Sequence, residues 1–202
     1  LAGDLDNRAG RIAVNSHKLE LAARTLDNAA GRIEHAGAGT LTLAAETLAG
    51  TGGRISSNGT LALSAQTVTL DAAETVAARL DIVARSLSQR GGRLLWTGQE
   101  GSTIAVAGGL DNRGGTLSGN GRLDLVADSF DNRNGGRIEN GGDLALTAAS
   151  LANAAGRIES GGALNVRISG NAGNADGSVI AGKAPTLSAA SLDNTAGTLG
   201  TV

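Results

Sequence analysis

One sentence of about 21 residues is written along this chain again and again, most cleanly at 130–150 as FDNRNGGRIENGGDLALTAAS. An apolar residue opens it, Asp-Asn follows, a glycine corner leads to Arg-Ile, a second glycine corner leads to Leu-x-Leu, and an alanine-rich run closes it. Aligned on the opening residue, the copies begin at Leu5, Leu26, Leu48, Val68, Leu87, Leu110, Phe130, Leu151, Asn171 and Leu192. Glycine returns at the first corner as Gly10, Gly31, Gly53, Gly92, Gly115, Gly136, Gly156, Gly177 and Gly197. A unit this short cannot enclose a core of its own, so the copies must stack, each burying its apolar face against the next.

Within each copy the apolar residues alternate, as in Leu19/Leu21, Leu41/Leu43, Leu123/Leu125 and Leu144/Leu146. That period of two belongs to strands, and the alanine-rich tails are too short for helices. Successive coils travel the same way round, so stacked strands run parallel, and the handedness of parallel crossovers favours a right-handed wind. The expected fold is all-β: one right-handed parallel β-helix of about ten coils over residues 1–202, a rod roughly 45 Å long at about 4.8 Å per rung. Composition agrees, with 32 glycines, one Trp, one Phe and no Tyr or Met, so the core must be filled by small aliphatics in a regular array. The leucine-rich repeat, of similar period, requires a Leu-x-x-Leu-x-Leu-x-x-Asn frame that is absent.

Three coils depart from the pattern. The coil from Val68 lacks both the Asn and the glycine corner, which predicts a flatter turn. The coil from Leu87 has the widest spacing and a longer second corner, LLWTGQEGS. The coil from Asn171 replaces its opening Leu and puts Pro185, which cannot donate to a ladder, where an inward residue belongs. The ends, Leu1–Asp4 and 192–202, read as parts of further coils, so the segment is expected to be an internal piece of a longer filament.

Residue columns carry what chemistry there is. Asn7, Asn28, Asn112, Asn132, Asn153 and Asn194 recur two residues after the opening position and are read as a structural ladder of stacked amides. Arg11, Arg32, Arg54, Arg93, Arg137 and Arg157 follow the first corner and point outward. As an unbroken row they would suit a polyanionic glycan; interleaved with Glu34, Glu139, Glu159 and the Asp row Asp6, Asp27, Asp111, Asp131 and Asp193, they would instead keep a rod soluble. Trp96, at a corner, either stacks on a sugar ring or plugs the corner. His17 and His35 are expected at the surface. With no cysteine, no HExxH frame, no nucleophile elbow and carboxylates that follow the repeat, no catalytic residue, metal or cofactor is expected, and the chain is read as a non-enzyme. A near-even balance of 17 basic and 19 acidic residues argues against nucleic acid, and no apolar run is long enough to span a bilayer.

The motif L-D-N-x-x-G-R-I, present as LDNRAGRI, LDNAAGRI, LDNRGGTL, FDNRNGGRI and LANAAGRI, resembles the haemagglutinin repeats of filamentous haemagglutinin and the related contact-dependent growth inhibition exoproteins. The resemblance implies a large exoprotein of a Gram-negative bacterium, exported through an outer-membrane two-partner secretion transporter and displayed at the cell surface. It implies a shaft segment holding a distal adhesive or toxin-bearing part away from the cell. The alternatives are a module whose Arg row or Trp96 corner engages a glycan or receptor, and a polysaccharide-cleaving β-helix enzyme.

Overall fold

The computed structural model describes residues 3–201, and among them every regular element is a strand: twenty in all, from Leu5–Asp6 to Thr198–Thr201, with every pairing parallel. Leu1, Ala2 and Val202, read as parts of further coils, lie outside the described residues. The chain is a parallel β-solenoid whose ten opening positions bound nine turns of close to 21 residues.

Each turn has three faces. The first is made by the Arg-Ile strands, such as Arg32–His35 and Arg137–Asn140, and the second by Leu-x-Leu. The third follows the second within one bent strand, as in Thr40–Ala49 and Leu123–Asp131. The bend has a sequence cause. Two consecutive outward residues, Glu46-Thr47 or Asp128-Ser129, break the alternation, the first of each pair drops out of the ladder, and the next apolar residue, Leu48 or Phe130, returns inward.

The core is a set of columns running along the rod. Ile33, Ile55, Leu94, Leu117, Ile138 and Ile158 stack on the first face and Leu43, Leu63, Ile82, Ile104, Leu125 and Leu146 on the second, all nearly inaccessible. Within these columns each side chain meets a similar aliphatic one rung away, apart from Thr75 between Ile55 and Leu94, and the two aromatics, Trp96 and Phe130, are buried in the same core.

The irregular coils resolve as follows. Ala172, not Asn171, pairs with Leu151 and Leu192, so the opening position of that coil is an alanine and its ladder residue is Asn174. The flatter turn expected after Val68 does not occur: Ala73 N–H donates to the Leu70 carbonyl at 3.1 Å, as Gly31 N–H does to Asn28 at 2.9 Å. What sets this turn is a left-handed residue at the fifth position of the coil, Ala72 here and Ala30 in the Leu26 coil, and neither Asn nor Gly is needed to supply it. The Leu87 coil has the expected long corner, residues 97–101, and also a bulge at Ala107–Gly109, where it has one residue more than its neighbours. Pro185 is half-buried, stands just before the short strand Thr186–Ser188 and falls opposite Leu164, the inward position at which Leu123 and Leu144 donate their N–H to the following coil.

Candidate functional surface

At the first corner the Asn side chains are buried and linked head to tail. Asn7 Nδ2 donates to Asn28 Oδ1 at 2.7 Å, and Asn112, Asn132, Asn153 and Asn174 each donate to the next residue of the run, ending at Asn194, at 2.6–2.7 Å. Each Nδ2 of that run also reaches a backbone carbonyl of the following coil, so an amide that would otherwise be stranded in the core is satisfied on both sides. Sequence reasoning missed two members. Asn174 was hidden by the misplaced opening residue, and Gln89 by being a different residue type: its Nε2 donates to Asn112 Oδ1 at 3.0 Å. The run is interrupted by Gly50 and Leu70, and the consequence is visible at Gln89, whose buried Oε1 has no donor.

The neighbouring glycine column exists because of this ladder. A Cβ at Gly31, Gly156 or Gly177 would run into the Asn carbonyl of the coil before and the Asn Oδ1 of its own coil.

The second corner has a column of its own: Val14, His35, Ser57, Ala77, Trp96, Gly119, Asn140, Ser160 and Ala181. Trp96 is 0% exposed and so offers no platform to a sugar. Its ring fits because its neighbours on the two adjoining rungs are Ala77 and Gly119, and the space a Gly119 Cβ would need is filled by the indole. His35, expected at the surface, is 2% exposed: Nε2 faces the Ser16 carbonyl at 2.9 Å and Nδ1 faces Ser57 Oγ at 3.1 Å. A carbonyl can only accept, so Nε2 carries the proton in this arrangement. His17 is exposed.

The outward Arg residues of the first face are largely neutralised. Arg11 pairs with Glu34 at 2.6 Å, Arg54 with Glu74, Arg137 with Glu139 at 3.2 Å and Arg157 with Glu159. Arg32 and Arg93 make no ion pair among the described residues, but they are separated by the Arg54–Glu74 pair and form no continuous cationic strip. A second charged row, which sequence reasoning saw only as acids, lies at the first corner. Asp6, Asp111 and Asp131 each accept from the backbone N–H and the guanidinium two residues on, at Arg8, Arg113 and Arg133. The Arg8 guanidinium brings the Asp6 carboxyl down to about 2, and Arg113 and Arg133 hold Asp111 and Asp131 below the ordinary range in the same way. Arg90 reaches Asp111 of the following coil at 2.9 Å, so the row is stitched between coils as well as within them.

Among the described residues no group of three or more His, Asp or Glu is placed to hold a metal ion, and no helix is long and apolar enough to cross a membrane. The surface thus consists of repeated, mostly self-paired rows.

Comparison with known proteins agrees with this geometry. The family model for the haemagglutinin repeat matches residues 1–65, 36–171 and 160–202. A stretch of 87 residues is 33% identical to the protein named Toxin CdiA of Yersinia pestis, covering 38% of this chain and 3% of that protein. No solved structure matches. Since the overlapping matches run from one end of the sequence to the other, in step with the stacked coils, the chain belongs to the haemagglutinin repeat family.

Proposed function

We propose that this chain is a shaft segment of a large secreted surface protein, an adhesin or a contact-dependent toxin carrier, and that its role is to set the distance between the cell and a distal functional part. The observation that carries this reading is uniformity: the core columns, the amide ladder and the paired charged rows recur coil after coil, so that adding or removing a coil changes length and little else. The similarity to a much longer toxin protein, of which the matched stretch is a small fraction, supports a place inside an extended molecule. On this reading the parent passes through an outer-membrane two-partner secretion transporter and is displayed outside the cell. The segment itself is mechanical rather than catalytic. Receptor or glycan recognition belongs elsewhere in the parent, because Trp96 is enclosed and the Arg row is mostly spent on Glu partners.

The test is deletion of Leu110–Ser150, two whole coils, from the parent. An exported, folded product that keeps its ligand specificity and loses reach between cells supports the shaft. Loss of ligand recognition by a folded, exported product would make the segment itself the binding site.

A further inference from the structure

The large apolar side chains most open to solvent are Val83, at 57%, and Val126, at 49%, ahead of Leu192 and Leu199 in the last described coil. They belong to one column. Val83 pairs in register with Ala105, and Ala105 with Val126, so the two valines sit one rung to either side of a small residue on the edge where the second face bends into the third.

Among the described residues unpaired charges are not confined to this edge, Arg32 and Arg93 being others, but here they are ordered along the rod. Glu46, Arg85, Asp128 and Arg167 are all exposed, and none makes an ion pair among the described residues, although fifteen ion-pair contacts are found over the rest of the surface. Their order along the rod follows from the register. Taking the Val106 rung as centre, Arg85 lies beside the rung one step before and Asp128 beside the rung one step after; Glu46 and Arg167 adjoin the rungs three steps out on the two sides. The signs run minus, plus, centre, minus, plus. Reversing the direction of the rod exchanges Arg85 with Asp128 and leaves the two valines in place; at the ends Glu46 lies in the Arg85 column and Arg167 in the neighbouring valine column, within reach of a long side chain.

A surface with that symmetry repels its copy when the two lie parallel, since each charge meets its like, and attracts it when one is turned end for end. We propose that this edge is a docking surface for a second copy of the same chain, laid side by side and antiparallel about a two-fold axis through the Val106 rung. Arg85 then faces Asp128 of the other copy and Asp128 its Arg85. The valines cover one another, Val83 on Val126, across the Ala105 gap. Glu46 approaches the other copy's Arg167 at the two ends of the strip. The bulge at Ala107–Gly109 gives the contact its centre: Ala107 and Gly108 together occupy the position that holds Arg85 and Asp128 on the rungs beside it, so nothing larger than a methyl group stands between the two surfaces. The strip spans six rung spacings, about 29 Å, which makes it a small interface whose strength depends on salt.

Sedimentation equilibrium on the 202-residue chain tests this. A monomer–dimer equilibrium is expected at low ionic strength, weakening as salt is raised. R85E alone and D128R alone should each remove the dimer without changing the melting temperature, since both side chains are exposed. Mixing the two variants should restore it, because the two reversed charges then face each other, and the native Asp128 of the first variant faces the native Arg85 of the second. The chain has no native cysteine, so direction can be read by cross-linking: V83C chains mixed with V126C chains should form a disulfide, and V83C chains alone should not. A chain monomeric at every concentration, a dimer indifferent to the charge reversals, or V83C–V83C cross-links in place of the mixed ones would overturn the proposal.

Discussion

At the scale of the residue, two neighbours in every coil but the one from Val68 have opposite requirements. Ala30, Ala72, Ala155 and Ala196 hold φ between 52° and 54°, a left-handed conformation in which an L side chain crowds its own backbone at a cost of roughly 1–2 kcal/mol. Gly52, Gly91 and Gly114 occupy the same position elsewhere without that cost. Ala155→Gly should therefore stabilise the chain by about 0.5–1 kcal/mol, once the greater freedom of glycine in the unfolded state is set against the relieved crowding. Gly156→Ala, one residue on, should destabilise it by about 3 kcal/mol or more, because the new Cβ meets the Asn132 carbonyl and Asn153 Oδ1, neither free to move. Urea melts of the two variants check both signs; a stabilised Gly156→Ala would mean that the ladder is loose. The paired aspartates add a dependence on pH. Asp111 and Asp131 titrate lower in the folded chain than in the unfolded one, where about 3.9 is usual, so their contribution is complete above that range and fades as pH falls through the folded values. Stability should drop as pH falls below about 4, and the drop should be shallower in Asp111→Asn with Asp131→Asn. Urea melts across that window would reveal it, and an unchanged slope would show that the Asp-Arg pairs contribute nothing.

At the scale of the coil, the Leu48 and Val68 turns are exceptions that exchange bulk between rungs. The Leu70 side chain lies over Gly50, in the space a Cβ there would need, and together they fill the volume two amides fill elsewhere. Gly50→Asn alone should be destabilising by overpacking and Leu70→Asn alone by leaving a void, each by about 2–3 kcal/mol. Together they should rejoin the ladder from Asn28 to Gln89 and give Gln89 Oε1 its missing donor, recovering at least about 1 kcal/mol relative to the sum of the single changes. Additive losses in a double-mutant cycle of thermal melts would show that the amides are not coupled. These coils also mark how far the sequence could be read. Parallel stacking, inward Leu-x-Leu and the Asn column were legible because period two and period 21 both leave marks in residue type. The left-handed fifth position was not, since Ala, Gly, Asn134 and Asp176 all fill it and backbone shape has no letter of its own. The enclosure of His35 was likewise hidden, because it depends on Ser16 and Ser57, about twenty positions away, whereas the plugged corner was one of the two readings open for Trp96, and Gly119 under the indole decides it. Nor could the charge order of the Glu46–Arg167 edge be seen before the bulge at Ala107–Gly109 fixed which residues share a rung.

At the scale of the whole molecule, the ladder has a direction. Every inter-coil amide bond runs from the earlier coil's nitrogen to the later coil's oxygen, from Asn7 to Asn28 and from Gln89 through to Asn194. A stack ending after any of these coils therefore shows the incoming chain a free N–H, and the next coil answers it with a carbonyl oxygen two residues past its opening apolar side chain. A template of this kind reads one phase: a chain arriving one residue out of step would turn its leucines to water. The phase is taken afresh at each rung, which is why intervals of 19 to 23 residues between opening positions coexist in one rod with no accumulated error. A polypeptide threaded through a pore with its amino terminus leading would thus crystallise coil by coil onto its own finished end, and each rung laid down would act as a pawl against its sliding back.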